Sequence, residues 1–270
     1  KWWAIVFTAS LGAGFVLIEA SLVHASLPAI FAFMGLEELA AACRALGGHF
    51  FGATPLFAAI TLVLAISSAI KAVLGGLDTL RMHASLRRGA ARADRTAIGG
   101  HETALMPTSS RWALALPGPS PQILISDNLA ATLQAPELGA VVRHEAAHLR
   151  HHHIRFLLLG TVVGSGLWFL PWIRRATTAL TLALEEWADD EASAGPSERR
   201  DQVRSALRKL ARLTPSALAS DRITALENDT DRQGVAVLSW SAAASAVIPL
   251  ALALALTLIY HLRQVIEVAS

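Results

Sequence analysis

The chain has 270 residues, of which 53% are hydrophobic and 16% charged, with a formal net charge of +2. Soluble domains carry roughly a quarter charged residues, so part of this chain is expected in a lipid bilayer, and so small a net charge makes no case for direct nucleic-acid binding. The single cysteine, Cys43, excludes an intrachain disulfide and a thiolate zinc cluster, which leaves histidine and carboxylate as metal ligands.

A membrane-spanning helix needs about 20 mostly apolar residues. Residues 3–23 and 55–77 meet that length, and so does 237–260 near the end of the chain. Trp2 and Trp3, Phe50 and Phe51, and Trp240 with Tyr260 stand near the ends of these runs, as the interfacial belt favours. The first run is longer than the core of a secretory signal and is read as a span. Arg81, Arg87, Arg88, Arg92 and Arg95 follow the second span, whereas the loop before it has only Arg44 against Glu37 and Glu38. By the positive-inside bias, 78–236 is cytoplasmic, and loop 24–49 and tail 261–270 lie outside. Glu19 sits near the outer end of the first span, and Lys71 near the inner end of the second, where it can snorkel.

The middle of the chain predicts mixed structure. Strands at 111–116 and 122–125 flank a proline-rich turn at 117–121. Ser126 or Asp127 can cap a short helix over 128–133, and Pro136 opens a longer one in which Leu138, Val141, Val142 and Leu149 recur at helical spacing. An apolar run at 156–173 contains Gly160, Gly164, Gly166 and Pro171. A helix at 177–194 is stopped by Gly195-Pro196. A last helix at 197–213 carries Val203, Leu207 and Leu210 on one face and Arg199, Arg200, Arg204, Arg208 and Arg212 elsewhere, a surface for anionic lipid, an acidic partner or solvent. The predicted fold is a mainly α, multi-pass membrane protein with an α+β domain. Its parts are membrane helices in 1–77, a cytoplasmic domain in 78–236, and a last membrane helix with a short tail in 237–270.

The chemistry is concentrated in His144-Glu145-Ala146-Ala147-His148. Two histidines four apart on a helix share a face, so both imidazoles can reach one ion, and Glu145 beside them can act as general base. A catalytic zinc takes three protein ligands. The third is expected in Glu185-Glu186-Trp187-Ala188-Asp189-Asp190-Glu191, where Glu185 and Asp189 share a helical face: one carboxylate can bind zinc and the other can orient a ligand histidine. Periodicity does not choose between Glu185 and Glu186. His151, His152 and His153 offer two readings, metal delivery or a solvated or interfacial cluster, and the second is favoured because helical spacing turns most of them away from the ion.

HEAAH followed by EEWADDEA resembles the gluzincin pattern HExxH…ExxAD. With Ala113–Gly118, Ile123–Asp127, Pro136–Val142 and the aromatic-proline stretch Trp168–Trp172, the region 105–230 resembles the BlaR/MecR family of membrane metallopeptidases. The resemblance implies a gluzincin-like protease domain with one zinc per chain. It makes Glu185 the third ligand, Asp189 its neighbour that orients a histidine, and Ile123, Leu124, Ile125 and Ser126 the edge strand that receives substrate. It implies a bacterial cell-membrane protein cleaving a protein or peptide substrate at the cytoplasmic face. Members that sense β-lactams carry a large extracellular domain after the last span; here about ten residues follow it. The HtpX and CAAX-protease families share the zinc signature.

If His144, His148 and Glu185 share one ion, the run 156–173 cannot cross the membrane once. It is expected to be a buried helix of the domain or a re-entrant hairpin. Two other readings of the chain are a non-catalytic, metal-dependent signalling scaffold, for which Glu145 would be superfluous, and a metal transporter, for which the spans offer few polar residues.

Overall fold

A computed structural model describes residues 2–43 and 55–213, and the expected span at 237–260 lies outside them. In chain order the elements are α1 (Trp2–Phe33), α2 (Glu37–Cys43) and α3 (Pro55–Ala90), then β1 (Asp94–Ile98), β2 (His101–Met106), β3 (Ala113–Leu116) and β4 (Gln122–Ser126). They continue with α4 (Asp127–Thr132), α5 (Ala135–Arg150), α6 (His153–Gly166), α7 (Pro171–Ser193) and α8 (Ser197–Leu213). The architecture is mostly helical with one small mixed sheet. The chain divides into two compact units. Among the described residues, one includes 77–159 and 178–213; the other includes 6–43, 55–76 and 160–177.

In the second unit α1 runs ten residues beyond the expected span, so 24–33 is helix rather than loop. Apolar residues continue past Val23, and the stop comes only where Gly35 N–H bonds Ala32 O at 3.1 Å and Leu36 N–H bonds Phe31 O at 2.8 Å. The apolar run 156–173 is divided: α6 ends at Gly166 and α7 begins at Pro171, a residue suited to a first helical turn. That proline start also explains why α7 begins before the expected 177. Gly166 packs against α1 and α3 so closely that an added Cβ would come within 2.5 Å of Phe15 and 3.1 Å of Ala72. Among the described residues one helix, Ala59–Ala90, is long and apolar enough to cross a membrane, with a mean hydropathy of 2.0; Thr8–Ala20 is a shorter apolar stretch of α1.

In the first unit the sheet order is β1-β2-β4-β3. Strands β1 and β2 form an antiparallel hairpin closed by Gly99-Gly100, both at positive φ (58° and 84°), the backbone a tight hairpin turn needs. Strand β4 pairs parallel with β2 and antiparallel with β3. The hairpin was not expected from the sequence, because Asp94-Arg95-Thr96 puts charge where an apolar alternation would mark a strand. One core joins this sheet to the helices: Ile123 and Ile125 of β4, Leu129 of α4, Val142 of α5, Ala192 of α7, and Val203 and Leu207 of α8 are all buried in it.

Two polar ties fix α5 against α8. The buried Glu137 carboxylate accepts from the Gln134 N–H (2.8 Å), Ser205 Oγ (2.6 Å) and Lys209 Nζ (2.6 Å). It thus caps its own helix and anchors the next. Arg143 donates to the Ala192 carbonyl at 3.2 Å and to Gln202 Oε1 at 2.8 Å. The helix that bears the HExxH pattern is therefore held by groups on both its neighbours.

Candidate metal centre

Helix α4 starts with Ser126 as its cap, whose Oγ accepts from the Leu129 N–H. Helix α5 then carries His144 and His148 one turn apart. Their apolar neighbours Val141 and Val142 are buried, so the face that carries both imidazoles is also withdrawn from solvent, His144 at 9% exposure and His148 at 5%. Helix α7 brings Glu185 and Asp189, again one turn apart.

The two Nε2 atoms of His144 and His148 lie 3.0 Å apart. Glu185 Oε2 is 3.4 Å from His144 Nε2, and Glu185 Oε1 is 3.4 Å from His148 Nε2. One ligand atom from each residue falls within 4.8 Å of the others, a group that could hold a metal ion. A tetrahedral zinc with bonds of about 2.0–2.1 Å separates its donors by about 3.3 Å, so two imidazoles and a carboxylate at these spacings fit it. The choice left open by periodicity falls to Glu185, whose oxygens are the ones beside both rings.

Behind this group, His144 Nδ1 meets Asp189 Oδ1 at 2.9 Å, with Asp189 only 3% exposed. Desolvation by burial acts to lower the His144 pKa, but the carboxylates of Asp189 and then Glu185 outweigh it and raise it to about 10 in the metal-free protein. Glu145 is half-buried. Desolvation raises its carboxyl above the usual range and Glu185 adds to the rise, while His144, His148 and a hydrogen bond from the Ala115 backbone N–H pull it back. A carboxyl so placed is poised nearer neutrality, as a general base requires.

A cleft of about 410 Å³ opens on these groups. Trp112 with Ala113 and Leu114 of β3 lines it, as do Val203, Leu207 and Leu210 of α8, together with Glu145 and the metal group.

Two expectations are corrected here. The strand Ile123–Ser126 is not an edge: β4 is paired on both sides and its residues 123–126 are buried, so no peptide can add to it. The outer strand beside the cleft is β3, partly exposed at Ala113 and Leu114 and buried at Ala115 and Leu116. Trp112 accepts from the Ser126 N–H, and the antiparallel alternation then turns the N–H and C=O of Ala113 and Ala115 away from β4. Second, the three histidines after the motif are not a solvated cluster. His152 alone is exposed. His151 bonds Glu191 at 3.2 Å. His153 is fully buried, its Nδ1 lies 3.0 Å from His148 Nδ1, and burial followed by the neighbouring imidazoles pushes its pKa down to about 3.

Residues 77–181 match the model of peptidase family M48. The matched stretch contains the HExxH helix and the sheet, and it ends four residues before Glu185, which joins the possible metal group by geometry alone. No curated protein and no solved structure matches the chain. The family match and the His-His-Glu group together support a metallopeptidase domain.

Proposed function

We propose that this chain is a membrane-embedded, zinc-dependent endopeptidase that cleaves a protein or peptide substrate at the cytoplasmic face of a bacterial membrane, in the manner of the BlaR/MecR metallopeptidases it resembles. The observation that carries the reading is the meeting of His144, His148 and Glu185 donor atoms within 4.8 Å at the floor of a cleft that also contains Glu145. When bound, zinc supplies Lewis acidity, which polarises a carbonyl oxygen and makes hydroxide available near neutral pH.

The remaining chemistry belongs to the chain. An extended substrate adds to the open end of β3, where the outward N–H and C=O of Ala113 are its hydrogen-bonding partners. The Ala115 N–H is already given to Glu145, which holds that carboxylate beside the strand. Glu145 takes a proton from the attacking water and passes it to the leaving amide nitrogen. Asp189 fixes the His144 ring, and the apolar walls from Trp112, Leu114 and Leu207 keep bulk water from the cleft.

Membrane embedding is supported by the run Ala59–Ala90 and by the apolar side chains exposed along α1 and α3, among them Val16, Leu17, Ile60, Val63, Ile66 and Val73. The arginines in the last part of α3 and just after it favour the cytoplasmic side for the protease domain. The purified full chain should cleave casein or a peptide library in a chelator-sensitive way. Glu145→Gln should lose cleavage and keep its zinc; a Glu145→Gln chain that still cleaves would refute the assigned base.

A further inference from the structure

The two imidazoles of the metal group are held differently on their far sides. His144 turns Nδ1 to the Asp189 carboxylate at 2.9 Å, whereas His148 turns Nδ1 to another imidazole, Nδ1 of His153, at 3.0 Å. We propose that His153 is a positioning residue: its Nδ1 accepts the Nδ1–H of His148 and so fixes the tautomer in which His148 presents Nε2 to the ion. The inference rests on the reading of His144, His148 and Glu185 as a metal site.

The tautomers follow from counting protons. A neutral imidazole has one N–H and one bare nitrogen. If Nε2 of His148 holds a metal, its proton is on Nδ1. Two nitrogens 3.0 Å apart need one donor and one acceptor, so Nδ1 of His153 is bare and its proton is on Nε2. That Nε2 is buried and has no hydrogen-bond partner among the described residues. The ring is fully enclosed, tilted against Trp187 with centroids 4.6 Å apart and stacked on His151 at 5.7 Å. A buried nitrogen left without a partner is costly, and among the described residues the ring's one hydrogen bond is to His148.

The backbone is arranged for the same contact. On an unbroken helix a residue five positions past His148 would lie about 140° around the axis, out of reach. The chain instead breaks at His152, which takes the left-handed φ of 55° just after the α5 cap at His151. Helix α6 then restarts at His153, which returns its ring to the His148 side.

Two substitutions of matched shape separate the hydrogen bond from simple packing. In His153→Asn the amide oxygen occupies the place of Nδ1 and can still accept; in His153→Leu a methyl stands there. Zinc affinity of the full chain in detergent is measured by competition with a chromophoric chelator, with the melting temperature of the metal-free form recorded alongside. His153→Leu should bind zinc about 10- to 100-fold more weakly than the parent. His153→Asn should stay within about threefold of the parent, and the metal-free melting temperatures show that both variants fold. Equal zinc affinity in the Leu and Asn variants, whether high or low, would overturn the proposal. If the Leu variant does not fold, His153→Asp decides: a stronger acceptor must hold zinc at least as tightly as Asn, and weaker binding would overturn it. Failure of the parent chain itself to bind zinc would sink the metal reading instead, which keeps the two failures apart.

Discussion

Loading the metal-free protein with zinc should release protons even at mildly alkaline pH. A ligand nitrogen must be bare to bind metal, so whatever proton it carries is expelled. In the metal-free protein Asp189 and Glu185 hold the His144 imidazolium with a pKa of about 10. At pH 8, below that value, most chains carry that proton, so zinc uptake should release about one proton per site from His144. The same pKa has a stability consequence. A pKa raised in the folded state stabilises fully below the unfolded value of about 6.5, and that contribution is lost as pH rises through about 10. At about 1.36 kcal/mol per unit, the interval corresponds to at most roughly 5 kcal/mol. The metal-free protein should therefore lose melting temperature between pH 7 and pH 10, while the zinc-loaded protein, whose His144 is a neutral imidazole keeping only its Nδ1–H, should not lose it by this route. Calorimetric titration at pH 8 in two buffers of different ionisation enthalpy gives the proton count directly. A count near zero, together with a metal-free melting temperature indifferent to pH over this range, would refute the imidazolium–carboxylate arrangement.

Other residues make separate claims. Glu137→Ala removes a buried acceptor of three hydrogen bonds and strands Lys209 and Ser205, and should cost about 2–4 kcal/mol in denaturant unfolding. Burial raises the Glu137 carboxyl, but its bonds to Lys209, Ser205 and the Gln134 N–H lower it further, leaving it below the usual value; its contribution is thus present above about pH 4.5 and fades as pH falls through the folded pKa. The Glu137→Ala chain should accordingly show a smaller loss of stability below pH 4.5 than the parent. His152→Gly should melt at or above the parent temperature, whereas His152→Val, a β-branched residue at positive φ, should lose about 1–2 kcal/mol. Ala113→Pro removes an outward N–H from the β3 edge; it should raise KM for peptides by an order of magnitude or more with zinc content unchanged, and an unchanged KM would move the substrate off this strand.

The pair His144 and His148 was legible in the sequence because both lie on one uninterrupted helix, where a spacing of four fixes a shared face. Glu185 and Asp189 were legible as a pair for the same reason. Which of Glu185 and Glu186 meets the histidines was not, since that depends on the rotation of α7 against α5, set by long-range packing of residues such as Val142 and Ala192. The sheet edge is not legible in the sequence, because periodicity marks a strand without giving its neighbours. Only the hairpin of β1 and β2, hidden by charged residues and joined to β4 in parallel, makes β4 interior. His153 was misread because a uniform helical spacing was carried through His152, where the backbone reverses its φ. The length of α1 was underestimated because hydropathy measures membrane thickness, whereas the helix ends where its backbone does.

Metal content of matched variants tests the central claim most directly. The purified chain should contain one zinc per molecule by elemental analysis, and His144→Ala, His148→Ala and Glu185→Ala should each lose it while Glu145→Gln retains it. A Glu185→Ala chain that keeps its zinc at parental affinity, or a folded parent chain that binds none, would contradict the account.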